Sequence, residues 1–329
     1  QLTVRLGLDN TLTRVITTKA KQSPKRIVFA DAENPSVLKA VQIVIEEKIA
    51  KPILIGNKDI IHKMMSDNYI KLPNVPIFDP MKPNTKDEIE QIAEYGEILF
   101  EKRKRKGLMK TDALEHVRRR NYFGAMLVET GAADAMITGL TRNFPESLRP
   151  SLQVIRQRKD IKKVAGMFIL MTKFGPLFLA DTTINYDPTA EELVEIAELT
   201  AKEIEKFNIV PRIAMLTFSN FGTVNVPETI KVRKAVEILK QKHPKMIVDG
   251  EMQAHMAFNI ELLQQNHPFS DLANGRANVL IFPNLSSSNI AYNLLREVAE
   301  IEKIGPILLG MKKPVHVLHI KTHVEVLYP

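Results

Sequence analysis

The chain has 329 residues, 44% hydrophobic and 26% charged, a globular composition with material for two domains or one large α/β unit. Cysteine is absent, which excludes disulfides, thiolate metal sites and thiol nucleophiles and fits a cytoplasmic protein. No apolar run is long enough to span a membrane, and the net charge of +8 permits a nucleic acid or a polyanionic small molecule as partner.

The opening Gln1-Leu2-Thr3 has no initiator Met and no signal-peptide core, which points to a fragment or a processed product. Residues 2–21 read as an amphipathic lead-in, with Leu12, Val15, Ile16 and Ala20 near helical spacing and Pro24 ending it. Residues 25–30 (KRIVFA) form a strand, 31–35 a polar turn, 36–47 a helix and 52–56 (PILIG) a second strand. This βαβ opening implies a right-handed parallel crossover. A short helix and proline-rich connections occupy 57–86. Long helices are predicted over 85–105 and 111–128, then a strand over 134–138. The stretch GLTRNFPESLRP (139–150) follows that strand. Gly139 permits an unusual backbone, Thr141, Arg142 and Asn143 can donate to an anion, and Pro145 suits the first turn of a helix that carries Arg149.

Residues 164–171 and 177–180 make a hairpin-like apolar pair. Asp187-Pro188 is predicted to cap and start the next helix, with Glu191 and Glu192 in its first turn. A strand over 212–217 leads into the polar turn with Ser219 and Asn220, followed by a helix over 228–242 and a strand over 245–248. Asp249-Gly250-Glu251 reads as a polar turn into another helix. The two carboxylates are a metal pair, an acid/base pair or, as the favoured reading, N-terminal caps. Residues 277–282 form a buried strand, 283–289 a Ser/Asn crest, and a helix begins near Ile290 with Ser288 or Asn289 as cap. Apolar runs at 306–309 and 315–320 complete a βαβ-like segment. Such Ser/Asn-rich strand ends offer backbone N–H groups to an anion, or are ordinary capped turns.

The basic clusters at 102–106, Arg118-Arg119-Arg120 and 156–163 read mainly as solvated helix faces, with a few phosphate clamps among them. Aromatics are only 6% and are not interleaved with the basic residues, so no stacking platform for nucleic acid is expected. The histidines show no metal-ligand spacing, and no GxGxxG, GxxxxGK[ST] or GxSxG occurs. The fold class is α/β with mainly parallel sheet.

At these turns the sequence resembles the phosphate acetyltransferase/phosphate butyryltransferase family. The resemblance is carried by KRIVFADAENPSVLKAV, LRPSLQVI, DPTAEELVEIA, PRIAMLTFSNFGT, DGEMQA, ANVLIFPNL and GPILLGMKKPV, in order over residues 25–320. GLTRNFPE, SNFG and KPVHVL look like the C-terminal transacetylase-like domain of bacterial hybrid NADP-dependent malic enzymes. Active transferases more typically read GAxxTTAD, STKGS and KPVNDLSRG there.

The resemblance implies two α/β subdomains around a cleft for CoA and acyl phosphate, the first discontinuous. The expected division is 1–22 as connector from a preceding malic enzyme domain, 23–158 plus 306–329 as subdomain 1, and 159–305 as subdomain 2. It implies a homodimer, a higher oligomer in the full-length protein, and no nucleic-acid or membrane partner. NADP and a divalent metal belong only to the preceding domain, whose chain would be a malate dehydrogenase (oxaloacetate-decarboxylating, NADP+). Aligned from KPV, the family's Ser, Arg and Asp positions carry His319, Ile320 and Val326. A carboxylate to take the thiol proton and an arginine for the developing charge are thereby replaced by aliphatic groups. That removes several kcal/mol of transition-state stabilisation. Arg149 and Arg103 match family arginines. The expected ligand groups for acetyl-CoA or CoA are Arg149, Asn143, Thr141, Ser219, Asn220, Asn284, Ser288, Asn289 and Arg103. Three readings follow: a regulatory domain that binds acetyl-CoA without turnover, an active phosphate acyltransferase, and an oligomerisation scaffold.

Overall fold

The computed structural model of the chain describes residues 9–318. They divide into two compact units, one from Arg14 to Arg158 with Met311 to Leu318, the other from Lys159 to Gly310 with Asp9 to Thr13.

In the first unit, α1 (Asp9–Gln22), which joins it from Arg14 on, precedes β1 (Lys25–Phe29), α2 (Pro35–Glu46), β2 (Ala50–Ile55), α3 (Lys58–Asp67) and β3 (Ile77–Phe78). Next come α4 (Lys86–Arg103), α5 (Lys110–Val117), α6 (Arg120–Thr130), β4 (Ala135–Thr138) and α7 (Phe144–Val154). β11 (Val315–Val317) returns to the same sheet. The strand order is β11-β4-β1-β2-β3, all neighbours parallel. Alternation along the strands sends side chains to opposite faces. Phe29 and Leu54 pack with Val37, Leu38 and Val41 of α2 and Ile61 of α3. Val28, Ile55 and Met136 lie on the other face under Gly124 of α6, where a Cβ would come within 2.7 Å of the Met136 sulfur. Helices thus cover both faces, as a parallel sheet requires.

The second unit holds β5 (Ala165–Thr172), β6 (Gly175–Ala180), α8 (Ala190–Glu205), β7 (Arg212–Leu216), α9 (Pro227–Lys242) and β8 (Ile247–Met252). It continues with α10 (Ala254–Phe258), α11 (Ile260–Asn266), β9 (Val279–Ile281), α12 (Leu285–Val298) and β10 (Lys303–Leu309). Its sheet runs β10-β5-β6-β9-β7-β8. β5 is antiparallel to both neighbours and the other pairs are parallel. One face packs Phe168, Leu179, Leu216 and Leu280 against Met256, Leu263 and Tyr292. The α/β class with mainly parallel sheet is what the strand and helix alternation predicts.

Several boundaries differ from the sequence reading. The helix expected over 111–128 is two helices broken at Arg118 and Arg119, where Arg119 has extended backbone. The reason is burial: α6 is enclosed from Asn121 through Val128, whereas α5 buries only Ala113 and Val117. One straight rod cannot present both patterns. Helix α8 is capped by Thr189 rather than Asp187, because Thr189 and Glu192 form a reciprocal capping box while Asp187 pairs with Lys231 at 2.7 Å. The crest at 283–289 is mostly the first turn of α12, capped by Asn284. Ser287 and Ser288 fit inside it by donating their hydroxyls to the carbonyls of Asn284 and Leu285. Asp249 and Glu251 lie within β8 rather than in a turn, as buried charges met by cations from α9.

Candidate functional site

The carboxyl ends of β1 and β4 in the first unit are tied together by Asp31, which is 3% exposed. Its carboxylate accepts from the Gly139 N–H at 2.7 Å, the Leu140 N–H at 3.3 Å, the Thr138 hydroxyl at 3.2 Å and the Thr141 hydroxyl. Gly139 sits at φ +115°, and a Cβ there would lie 2.2 Å from the Leu318 carbonyl oxygen. Only glycine allows that close passage of the β11 end. The fixed loop delivers Asn143, whose side chain accepts from the Glu146 N–H at 3.0 Å and caps α7 with a proline in its first turn.

The consequence is a cluster of arginines at this sheet edge. Arg149 on α7 lines a cavity of about 260 Å³ with His116, Arg119, Arg120, Tyr122 and Arg142. A neighbouring cavity of about 410 Å³ shares Arg119, Arg120 and Arg142 and adds Arg118, Glu33, Asn57 and Asp79. Both lie at the strand carboxyl ends, where open α/β sheets bind ligands. The break between α5 and α6 is what aims Arg118, Arg119 and Arg120 here. Counter-charge comes from Glu33, 3.2 Å from Arg120, and Glu115, 2.9 Å from Arg119, with Glu146 and Asp79 also on the cavity walls. Glu33 is also held by the Asn57 N–H at 2.8 Å. Among the described residues neither Arg142 nor Arg149 shows a carboxylate partner.

Two buried nitrogens at these walls have no hydrogen-bond partner, Nδ1 of His116 and Nη1 of Arg120. The Arg120–Glu33 contact is therefore close electrostatically but not a hydrogen bond through Nη1. His116 stacks on Tyr122 with ring centres 5.0 Å apart. Burial, reinforced by Arg119, pushes the imidazole pKa below its ordinary value, so the ring is neutral near pH 7. Burial raises the Tyr122 pKa, against the opposing pull of Arg119, Arg149 and Arg103. Arg103, at the end of α4, thus stands in the same field as Arg149. The Tyr122 hydroxyl donates to Gln153 at 2.7 Å. The arrangement suits an anion with several acceptor oxygens: five guanidinium forks converge, and those of Arg142 and Arg149 meet no carboxylate among the described residues.

Among the residues singled out from sequence, Arg149 lines this site and Arg103 lies near it. Thr141 and Asn143 hold the loop and cap the helix. The other group lies in the second unit, committed to local bonds. Asn220 exchanges hydrogen bonds with Gln253 at 2.8 and 3.1 Å, and the buried Ser219 hydroxyl accepts from the Val224 N–H at 3.1 Å. Asn284 caps α12 and donates to Glu228 at 3.1 Å. Ser288 is fully buried, and Asn289 accepts from Asn293. His319, Ile320 and Val326 lie outside the described residues. Sequence reasoning missed His116, Tyr122 and Glu33, and counted the Arg118–Arg120 triplet among clusters read mainly as solvated faces with a few phosphate clamps, without singling it out. A triple arginine running into the mostly apolar stretch Tyr122–Val128 was the available signal.

The carboxylates of β8 are structural. Glu251 is fully buried and meets Arg233 through two 3.0 Å hydrogen bonds and the Gly222 N–H at 2.7 Å. Asp249 meets Lys240 at 3.1 Å and accepts from the Asp271 N–H. Among the described residues no group of three or more side chains is placed to hold a metal ion. No helix there is long and apolar enough to cross a membrane.

A family model described as Phosphate acetyl/butaryl transferase matches residues 11–327. The phosphate acetyltransferase of Bacillus subtilis is 35% identical over 303 residues, 92% of this chain and 91% of that one. The NADP-dependent malic enzyme of Escherichia coli is 34% identical over 320 residues, 97% of this chain but 42% of the relative, so the chain spans under half of that protein. A phosphotransacetylase from Streptococcus pyogenes superposes with a TM-score of 0.87 at 32% identity, covering 97% of this chain and 95% of that one. The EutD phosphotransacetylase of Staphylococcus aureus gives 0.86 at 27% identity, covering 98% and 96%. With a matching model over nearly its whole length and relatives above 30% identity, the chain belongs to the phosphate acetyl/butaryl transferase family.

Proposed function

We propose that this chain is a catalytically impaired, acetyl-CoA-binding regulatory domain of an NADP-dependent malic enzyme. Acetyl-CoA acts as an allosteric inhibitor of the oxidative decarboxylation of malate to pyruvate. The observation that carries the proposal is the cluster of Arg118, Arg119, Arg120, Arg142 and Arg149 around two adjoining cavities, with Arg142 and Arg149 unpaired by any carboxylate among the described residues. Five convergent arginines, two of them without a carboxylate partner among the described residues, attract a polyanion, and a CoA ester brings several phosphate oxygens. The similarity to malic enzyme over 97% of this chain supports the parent activity. The aliphatic Ile320 and Val326 at the family's charged positions support binding without turnover. Inhibition requires that acetyl-CoA bind two states of the protein unequally, in a homodimer or a larger assembly.

A second reading is an active phosphate acyltransferase, favoured by the 35% identity to a phosphate acetyltransferase over 91% of that enzyme. An acetyl phosphate assay with acetyl-CoA and phosphate decides between the two. The regulatory reading expects no sustained turnover. Turnover that disappears in His319→Ala establishes the transferase instead.

A further inference from the structure

A further cavity of about 900 Å³ lies in the other unit, at the edge where β6 and β9 begin. This is the amino end of those strands, opposite the turns that carry Ser219 and Asn284. Met171, Leu177 and Ile301 give it an apolar lining. Arg276 enters it with its guanidinium carbon 3.8 Å from the Phe174 ring centre and 5.5 Å from that of Phe258. Stacking of this kind holds the guanidinium plane and leaves its in-plane N–H groups available to a carboxylate. Lys173 lies over the same ring, its amine 5.1 Å away.

The loop bearing Arg276 is anchored before any ligand arrives. Arg212 donates to the Gly275 carbonyl at 2.7 and 3.1 Å and to the Arg276 carbonyl at 3.1 Å. Phe174 is 65% exposed, an accessible aromatic surface beside the fixed cation. Glu300 and Glu302 line the same cavity and balance its two positive charges. That balance disfavours polyphosphates; a single carboxylate is drawn by short-range hydrogen bonds to Arg276, which pairs with no carboxylate among the described residues. Volume, apolar lining and one oriented cation match a small organic ligand.

We propose that this cavity binds a small planar aromatic carboxylate, its carboxylate in the plane of Arg276 and its ring against Phe174 and Phe258. The test is calorimetric titration of 1-naphthoate into the full chain, beside 1-naphthamide, which keeps the rings and removes the charge. Naphthoate is expected to bind saturably and at least tenfold more tightly than the amide. Arg276→Leu should weaken naphthoate at least tenfold and bring it level with the amide, and Phe174→Ala should weaken both. Arg149→Ala should leave naphthoate binding unchanged. An absence of saturable binding overturns the assignment, as does equal affinity in properly folded Arg276→Leu and Arg276→Lys proteins. Loss of binding in Arg149→Ala also overturns it, because the probe would then occupy the arginine cluster.

Discussion

Replacing Asp31 tests how the arginine site is held in shape. Its carboxylate is 3% exposed and takes donors from Thr138, Gly139, Leu140 and Thr141. In Asp31→Ala the two backbone N–H groups and two hydroxyls lose that acceptor together. Each buried unsatisfied donor costs about 1–3 kcal/mol, and the hydroxyls can rotate to other acceptors, so about 3–5 kcal/mol of stability should be lost. Asp31→Asn differs in kind. Its carbonyl oxygen can take the place that accepts from Thr138, Gly139 and Leu140, while its amide faces Thr141, whose hydroxyl can accept. Only the charge is lost, so about 1–2 kcal/mol is expected. Urea unfolding of the three proteins gives both values. Both should weaken acetyl-CoA binding, the alanine variant more, because the loop presents Arg142 and starts the helix bearing Arg149. An alanine protein within 1 kcal/mol of the parent would refute the reasoning, and so would an asparagine protein as unstable as the alanine one.

Arg233→Met leaves Glu251 charged, fully buried and supported only by backbone N–H groups, that of Gly222 at 2.7 Å among them; a loss of about 3 kcal/mol is expected by urea unfolding, largely recovered in Arg233→Met/Glu251→Leu. Asn143→Ala should cost about 1 kcal/mol through the lost cap of α7 and also weaken acetyl-CoA binding, whereas a normal affinity would detach the cap from the site. Burial and then Arg296 hold the Lys303 amine, 2.8 Å from the Tyr292 hydroxyl, down to about 8 from 10.5. The folded pKa is the lower one, so the unfolded chain binds more protons between these values and this residue's contribution to stability rises as pH climbs from about 8 toward 10.5. Lys303→Met should therefore be more stable than the parent at pH 7 and lose that advantage by pH 10, with chemical unfolding at both pH values as the check.

The layers of the fold were legible because they rest on repeating patterns. The βαβ opening at 25–56, the hairpin at 164–180 and the long helices at 85–105 and 228–242 follow from apolar period and punctuation alone. The split of 111–128 was not legible, because helix propensity is continuous across Arg118–Arg120 and only the all-round burial of α6 forces the turn. Asp249 and Glu251 misled for a related reason. Two carboxylates in a strand look like a turn until Lys240 and Arg233, several residues back on α9, arrive to neutralise them. Arg149 and Asn143 were found because a strand end, a glycine and a helix start sit within one stretch. His116, Glu33 and Asp31 were not, since their roles depend on pairing across distant segments that no local pattern encodes.

The most direct test of the arginine cluster as a CoA-ester site is calorimetric titration of acetyl-CoA into the purified chain and its Arg149→Ala variant. Saturable binding weakened about tenfold or more by the substitution is expected, the loss of one charge-assisted contact of about 1.5–3 kcal/mol. An absence of binding heat, or an affinity indifferent to Arg149, would contradict it.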